Sequence, residues 1–193
     1  MKINVIKCLL SVAMAAGISA TTHAEDVAGS HQVITAQPVI SAQSSPIFTG
    51  VKVNEEIQLG SSARAPAPPL TLVSVLGVYS SSCGWEYPPS GAFSTSCNHG
   101  GSIMRVAVLE LGYGSNRVAW MNGSVLPSSA MYNRQPVCSN VYGELDLDCS
   151  PGQTVVGFVN YYNLDGEVDG QFRFQDTSTN SPFNTMSVEI NIL

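Results

Sequence analysis

His99 is the residue of this sequence best suited to acid–base chemistry. It lies in the stretch Cys97–Gly101 and is the only histidine between residues 70 and 193. An imidazole titrates near neutral pH and can act as a general base if a carboxylate or hydroxyl stands beside it; Glu86, Glu110 or a nearby serine are the candidates. No serine lies in a Gly-x-Ser-x-Gly nucleophile turn. The sequence favours a loop histidine that hydrogen-bonds the backbone, with His99 kept as the one candidate catalytic residue.

A row of acidic residues has the spacing of a calcium loop. Asp165, Glu167 and Asp169 stand at alternate positions, Gly170 follows, and Asp176 falls at the twelfth position. Oxygen ligands with this spacing bind Ca²⁺ in EF-hands. Glu at the third position, Asp at the twelfth and flanks without helical character depart from that pattern. The competing interpretation is two Asp-Gly turns with solvated acids, so calcium stays a candidate cofactor with these four candidate ligands.

Two aromatic residues lie between Cys83 and Cys97. Trp85 and Tyr87 are flanked by Gly84 and by the Pro88–Pro89 pair. Exposed aromatic rings can stack on sugars or anchor a protein partner. Packing against the domain is the alternative, and we expect Trp85 and Tyr87 to be the candidate binding residues.

Four cysteines predict two disulfides. After the first 24 residues the chain keeps Cys83, Cys97, Cys138 and Cys149, an even number in a chain that carries an export signal. Three pairings are open, and we expect Cys83–Cys97 and Cys138–Cys149 because each closes a short loop rich in turn residues. No Cys-x-x-Cys pair is present, which disfavours a zinc site.

Strands are the elements that must position these residues. The apolar runs have strand length, and none keeps a 3.6-residue period over ten residues. Residues 103–111 have few polar breaks and predict a central strand buried on both faces, while Asn122-Gly123 predicts a hairpin turn. Further strands are expected over 72–79, 154–162, 171–175 and 187–192. The sequence therefore predicts an all-β fold, a single compact sandwich or barrel-like domain with two disulfides.

The N-terminal third predicts export and a spacer. Residues 1–24 have a positive start, an apolar stretch and a small residue at the end, as in a cleaved signal peptide. Residues 25–69 are rich in Ala, Ser and Pro, and we expect a flexible tail or pro-region that is cleaved off or that lays one strand onto the domain. The β domain then occupies residues 70–193, and the expected location is extracellular or periplasmic.

Charge disfavours nucleic acid as a partner, and hydropathy disfavours membrane insertion. The net charge of −6 repels phosphate backbones, which disfavours nucleic acid. No stretch after the signal reaches 18 consecutive apolar residues, so we expect no membrane insertion.

Several short motifs resemble a known family. The stretches Ser82–Glu86, Cys97–Gly101, Gly112–Gly114 and Asn122-Gly123 are similar to those of small secreted bacterial proteins of the YolA-like family, whose function is unknown. The resemblance covers roughly residues 74–126. It implies a signal peptide, one extracellular domain and a Cys83–Cys97 disulfide, and it makes the His-Gly-Gly turn part of the fold. It supplies no catalytic residues.

The expected function is a secreted, non-enzymatic binding module for a glycan or a protein surface. This expectation rests on one domain histidine, no domain lysine, no free thiol and no phosphate-binding loop. A secreted hydrolase that uses His99 is the second hypothesis. An exported effector, toxin or inhibitor is the third, and no residue pattern distinguishes it.

Overall fold

Ten antiparallel strands build the part of the chain that the structure describes. The computed structural model describes residues 37–40, 48, 67–140, 142–147 and 149–193; the predicted signal peptide lies outside them. The strands are β1 (Leu72–Ser80), β2 (Gly84–Glu86), β3 (Met104–Leu111), β4 (Val118–Met121), β5 (Ser124–Val125), β6 (Met131–Ser139), β7 (Leu145–Asp146), β8 (Thr154–Asn163), β9 (Gly170–Thr177) and β10 (Thr185–Ile192). A 3₁₀ turn covers Ser128–Ala130, and these residues contain no α-helix. The predicted all-β class is confirmed.

The strands form two sheets. The larger has the order β2-β1-β3-β8-β6-β7, and the smaller has the order β10-β9-β4-β5. Asn122 and Gly123 form the two-residue turn between β4 and β5 with φ of 51° and 78°. Positive φ at both positions is the geometry for which Asn-Gly is favoured, so the predicted hairpin is confirmed.

The main core fills the space between the two sheets. It takes Val106 and Val108 from β3, Phe172 and Phe174 from β9, and Ile190 from β10, all at most 2 % exposed. The strict alternation in β9 places both phenylalanine rings on the inner face, as its sequence predicts. Burial of this apolar surface from both sheets is what holds them face to face.

A second apolar cluster lies on the opposite face of the larger sheet. We call it the concave cluster; it contains Ala107, Leu109, Leu111, Val137, Leu147, Val156, Val159 and Tyr161 among others. Every residue of β3 is buried, because Val106 and Val108 face the smaller sheet while Ala107 and Leu109 face the concave cluster. The sheet curls around this cluster, so that Trp85 on its edge strand lies 6.3 Å from the ring of Tyr161 on β8.

Part of the predicted tail packs into the concave cluster. Ile40 is 1 % exposed there, and Phe48 packs against the same cluster. Contacts therefore extend the described compact unit to Gln37, well before residue 70. The remainder of residues 25–69, apart from 67–69, lies outside the described residues.

Both expected disulfides are present. Cys83, just before β2, is joined to Cys97 in the loop that leads to β3. Cys138 on β6 is joined to Cys149, which follows β7. Within the described ranges no helix is long and apolar enough to cross a membrane.

Candidate functional site

The loop between Cys83 and Cys97 is built on the edge of the larger sheet. Strand β2 pairs with β1, so that Trp85 lies opposite Tyr79 and Glu86 lies opposite Val78. Gly84 begins β2 with φ of 70°, a conformation that favours glycine. The disulfide and this pairing fix both ends of the loop, which brings His99 next to Glu86.

His99 lies in a hydrogen-bonded row with Ser80 and Glu86. Its Nε2 is 3.0 Å from Glu86 Oε2, and its Nδ1 is 3.2 Å from Ser80 Oγ. In the neutral imidazole, Nε2–H donates to the carboxylate and the Ser80 hydroxyl donates to Nδ1. A hydroxyl, an imidazole and a carboxylate in a row are the components of a hydrolytic triad. Here, however, His99 and Ser80 are both 0 % exposed, so neither the imidazole nor the hydroxyl is open to a substrate.

Glu86 holds the loop through its carboxylate. It accepts hydrogen bonds from the backbone N–H groups of Ser96, at 2.6 Å, and Cys97, at 2.9 Å, in addition to the His99 bond. Burial acts to raise the pKa of Glu86, but these three donors outweigh it and hold the pKa below its usual value. The side chain is therefore an ionised anchor that pins the second half of the loop to β2.

The two predicted binding aromatics lie together. Trp85 and Tyr87 stack with their ring planes 12° apart and their centroids separated by 6.2 Å. Trp85 is half-buried and reaches into the concave cluster, whereas Tyr87 is 38 % exposed. Trp85 thus supports Tyr87 from beneath, and Tyr87 offers the accessible ring.

A shallow depression lies where the same loop crosses β1 and β10. Its volume is about 160 Å³, and Pro88, Pro89, Phe93, Val188 and Glu189 contribute to its lining. Phe93 at its margin is 85 % exposed. A ring this exposed on a loop held by a disulfide and by Glu86 is typical of a contact surface.

A second polar centre is buried between the sheets. Glu110 on β3 and Asp176 on β9 are both 0 % exposed and contact each other. Arg117 lies 3.0 Å from Glu110 and 3.5 Å from Asp176. Burial and the contact with Asp176 raise the pKa of Glu110 to about 7, against the opposing effect of Arg117. Asn160 lies beside Glu110 and acts to lower the pKa of that carboxyl group, as Arg117 does.

The motif glycines next to this centre make room for it. A Cβ on Gly114 would collide with the carboxylate of Asp176, and a Cβ on Gly112 would collide with the carbonyl of Pro69. The spacing Gly-Tyr-Gly is therefore a packing requirement of the buried carboxyl group and of the chain entering β1.

The comparison with protein families identifies the domain. Residues 65–192 match the model of a domain of unknown function, DUF4879. The chain belongs to the DUF4879 family. No curated protein and no solved structure matches it. The DUF4879 match contains all ten strands, both disulfides and the Ser80–His99–Glu86 row.

The acidic loop of the DUF4879 domain does not gather its four predicted calcium ligands. Asp165 binds Arg105 through both carboxylate oxygens, and Glu167 accepts a bond of 3.3 Å from Asn122. Asp169 precedes β9, whereas Asp176 lies near the far end of that strand and accepts the N–H of Asn116 at 2.8 Å. Among the described residues no group of three His, Cys, Asp or Glu side chains could hold a metal ion.

Sequence reasoning missed three features of the DUF4879 domain. The sequence predicts Glu110 only as a partner for His99, although a lone acid inside an otherwise apolar strand signals a buried polar centre. Alternation in β9 places Asp176 on the same face as Phe174, which also points it inward. No local sequence pattern predicts the exposure of the Phe93 ring, because that exposure depends on how the loop crosses β10.

Proposed function

We propose that this DUF4879 domain is a secreted, non-enzymatic binding module whose contact surface is the loop from Trp85 to Phe93. The observation that carries the proposal is the contrast between this loop and the histidine that follows its disulfide. His99, which follows Cys97, is sealed from solvent with both ring nitrogens engaged, while Tyr87 and Phe93 face outward. The accessible side chains are therefore aromatic rings suited to contact, whereas the imidazole that could act in catalysis is enclosed.

The loop's rigidity supports binding. Besides the disulfide and the Glu86 bonds, Thr95 N–H donates to the Asn191 carbonyl and Asn191 N–H donates to the Phe93 carbonyl, both at 2.9 Å. Aromatic rings on a preorganised loop lose little conformational entropy when a partner covers them. Phe93 and Tyr87 are therefore positioned as anchors.

The chemistry of the depression favours a protein ligand over a glycan. Prolines, Phe93 and two aliphatic side chains of β10 supply much of the lining, and Glu189 and Ser74 are its polar members. A sugar needs several hydrogen-bond partners around a stacking ring, whereas an apolar side chain needs shape and dry surface. The net charge of −6 favours a partner that is neutral or basic at the contact.

A binding assay with matched variants tests the proposal. Immobilised protein is exposed to culture medium and, separately, to a glycan array. We expect a specific protein partner that Phe93→Ala and Tyr87→Ala each weaken by about tenfold or more, a loss of roughly 1.4 kcal/mol. Tyr142→Ala removes another exposed ring, in the turn between β6 and β7, and should leave binding unchanged. Binding insensitive to Phe93 and Tyr87 would reject this surface, and glycan binding that Tyr87→Ala abolishes would replace the protein ligand by a sugar.

The Ser80–His99–Glu86 row favours a hydrolase as the second candidate function. The distances from the His99 ring nitrogens to Ser80 Oγ, 3.2 Å, and to Glu86 Oε2, 3.0 Å, lie within the range for proton transfer. For catalysis, a movement of the loop would have to expose Ser80 and His99 to the substrate. Ester and peptide hydrolysis by the purified protein, compared with Ser80→Ala, decides between the candidates. Turnover that disappears in Ser80→Ala, with the fold intact, would support the hydrolase.

Export and the finer family relation belong to the same proposal. We infer that residues 1–24 are removed on secretion, and that the YolA-like proteins resembled by the Cys-Gly-Trp and Cys-Asn-His-Gly-Gly motifs share this domain. The N-terminal sequence of the protein recovered from the envelope or the medium tests export; a chain that still begins at Met1 would reject it.

A further inference from the structure

The concave face of the larger sheet holds a short piece of the chain's own N-terminal region. Residues Gln37–Ile40 lie across it, with Ile40 1 % exposed and Val39 43 % exposed. One side chain is fully inserted while its neighbour faces solvent, as when an extended peptide occupies a groove.

Side chains of the sheet bind the backbone of this piece. The Tyr132 hydroxyl donates to the Pro38 carbonyl at 2.5 Å, and Ile40 N–H donates to the Tyr161 hydroxyl at 3.3 Å. Tyr161 in turn donates to Gln135 at 2.7 Å. Because burial raises the pKa of both tyrosines, each keeps its proton and remains a donor at any physiological pH.

Arg105 binds the side chain of Gln37, the first residue of this piece. Its Nε donates to the Gln37 side-chain oxygen at 2.8 Å, while the rest of the guanidinium binds Asp165 and lies 5.5 Å from the ring centre of Tyr132. Arg105 is 3 % exposed, so this contact is made by a buried, fully oriented group. The groove therefore offers the Arg105 guanidinium and two phenols as hydrogen-bonding groups, beside the apolar cluster that encloses Ile40.

The occupant lies outside the family domain, whereas the groove lies inside it. The family match begins at residue 65, and Tyr132, Tyr161 and Arg105 all fall within it. Gln37–Ile40 and Phe48 precede it and are connected to it only through the chain that follows Phe48. A covalently attached segment that fills a site of the domain acts as an intramolecular ligand with a raised effective concentration.

We propose that the concave face is a peptide-binding groove and that Gln37–Ile40 are its resident intramolecular ligand. The groove accepts an extended segment with a buried aliphatic residue and a polar residue three positions before it. When the resident segment is displaced, the same groove binds that segment supplied as a separate peptide. This inference does not depend on the Trp85–Phe93 loop as a contact surface.

Peptide binding to matched full-length variants tests the groove. The probe is a fluorescent synthetic peptide of residues 35–50, added to wild type, Ile40→Asp and Val39→Asp. We expect Ile40→Asp, which cannot fill the apolar pocket, to bind the peptide about 100-fold more tightly than wild type, whose groove is occupied. Val39→Asp changes the exposed neighbour and should behave as wild type, and a peptide carrying the Ile40→Asp change should bind none of them.

These experiments distinguish two roles for Gln37–Ile40: a ligand that can be exchanged for a separate peptide, and an integral part of the fold. Trp85 packs against the concave cluster, so its emission should shift in Ile40→Asp and return towards the wild-type value when the peptide binds. If Ile40→Asp does not fold, Ile40→Ser is used instead. A folded variant that binds no peptide, or the failure of both variants to fold, would overturn the proposal. Neither result would affect the Phe93 and Tyr87 binding assay.

Discussion

Glu110 and Asp176 meet between the two sheets, and one carboxylate oxygen of each accepts no hydrogen bond. The atoms are Glu110 Oε1 and Asp176 Oδ2, and both residues are 0 % exposed. Two ionised carboxyl groups in contact repel each other, and burial penalises both charges. One proton shared by the pair removes that repulsion and gives each oxygen a partner. Arg117 then balances the remaining negative charge.

This pair predicts that the protein loses stability as pH rises through 7. Glu110 has a usual value of 4.5 and a folded-state pKa of about 7, so the folded protein holds the proton more tightly than the unfolded chain. The resulting stabilisation is complete below pH 4.5 and lost as pH rises through 7; a shift of this size sets an upper limit of roughly 3 kcal/mol. Urea unfolding between pH 5 and 8 should show the loss.

Glu110→Gln should flatten that pH dependence, because the amide side chain of glutamine does not ionise in this pH range. Glu86 and Asp165, whose pKa values are lowered, act in the opposite sense and only as the pH falls below their usual values, outside this window. A slope that persists unchanged in Glu110→Gln would show that another group carries it.

Glu86→Ala should destabilise the protein by about 2–4 kcal/mol, because three donors lose a charged acceptor. The groups left without it are the backbone N–H of Ser96 and Cys97 and the ring of His99. Glu189→Ala, an exposed carboxylate on β10, is the control and should change the free energy of unfolding by less than about 0.5 kcal/mol. Equal effects of the two substitutions would show that Glu86 is not the anchor.

Replacing Cys138 and Cys149 together by serine should cost about 3 kcal/mol. The two residues are 11 positions apart, and the chain-entropy model assigns this order of stabilisation to a loop of such length. Chemical denaturation of the double variant measures the loss, and peptide mapping by mass spectrometry checks the pairing in the parent. Detection of Cys138 linked to any other cysteine would contradict the assignment.

Calcium should leave the melting temperature unchanged. Asp165 is engaged by Arg105, and Asp176 lies towards the other end of β9 beside Arg117, so the four acids cannot surround one ion as they stand. Scanning calorimetry with Ca²⁺ and with a chelator measures this directly, since a ligand that binds only the folded state raises the transition. A higher melting temperature in the presence of Ca²⁺ would instead support the interpretation of these acids as a calcium loop.

Local patterns predicted the parts of the fold that local physics decides. The uninterrupted apolar run of β3 indicated burial on both faces, and the alternation in β9 indicated which rings point inward. Asn122-Gly123 indicated a turn because few other residues adopt positive φ twice in succession. In each case the signal lies within about ten residues of its consequence.

Features that depend on distant partners were not predictable in this way. Ile40 binds Tyr161 across 121 positions, and its burial follows from the curl of a sheet that no single segment encodes. The pairing of Glu110 with Asp176 depends on which strands of the two sheets face each other. His99 shows the intermediate case: its loop and its disulfide were predicted, but its enclosure by Ser80 and Glu86 required the register of β1 and β2.

The loop that carries Phe93 also covers the outer edge of a sheet. Strand β10 ends the smaller sheet, and its last residues bind the loop: Asn191 exchanges backbone bonds with Phe93 and Thr95, and the Leu193 carbonyl accepts the His99 N–H. An uncovered edge strand is a template for pairing with another molecule. Reduction of Cys83–Cys97 would therefore do more than loosen a contact surface, since it would release the cover from β10 and favour self-association of the protein through that edge.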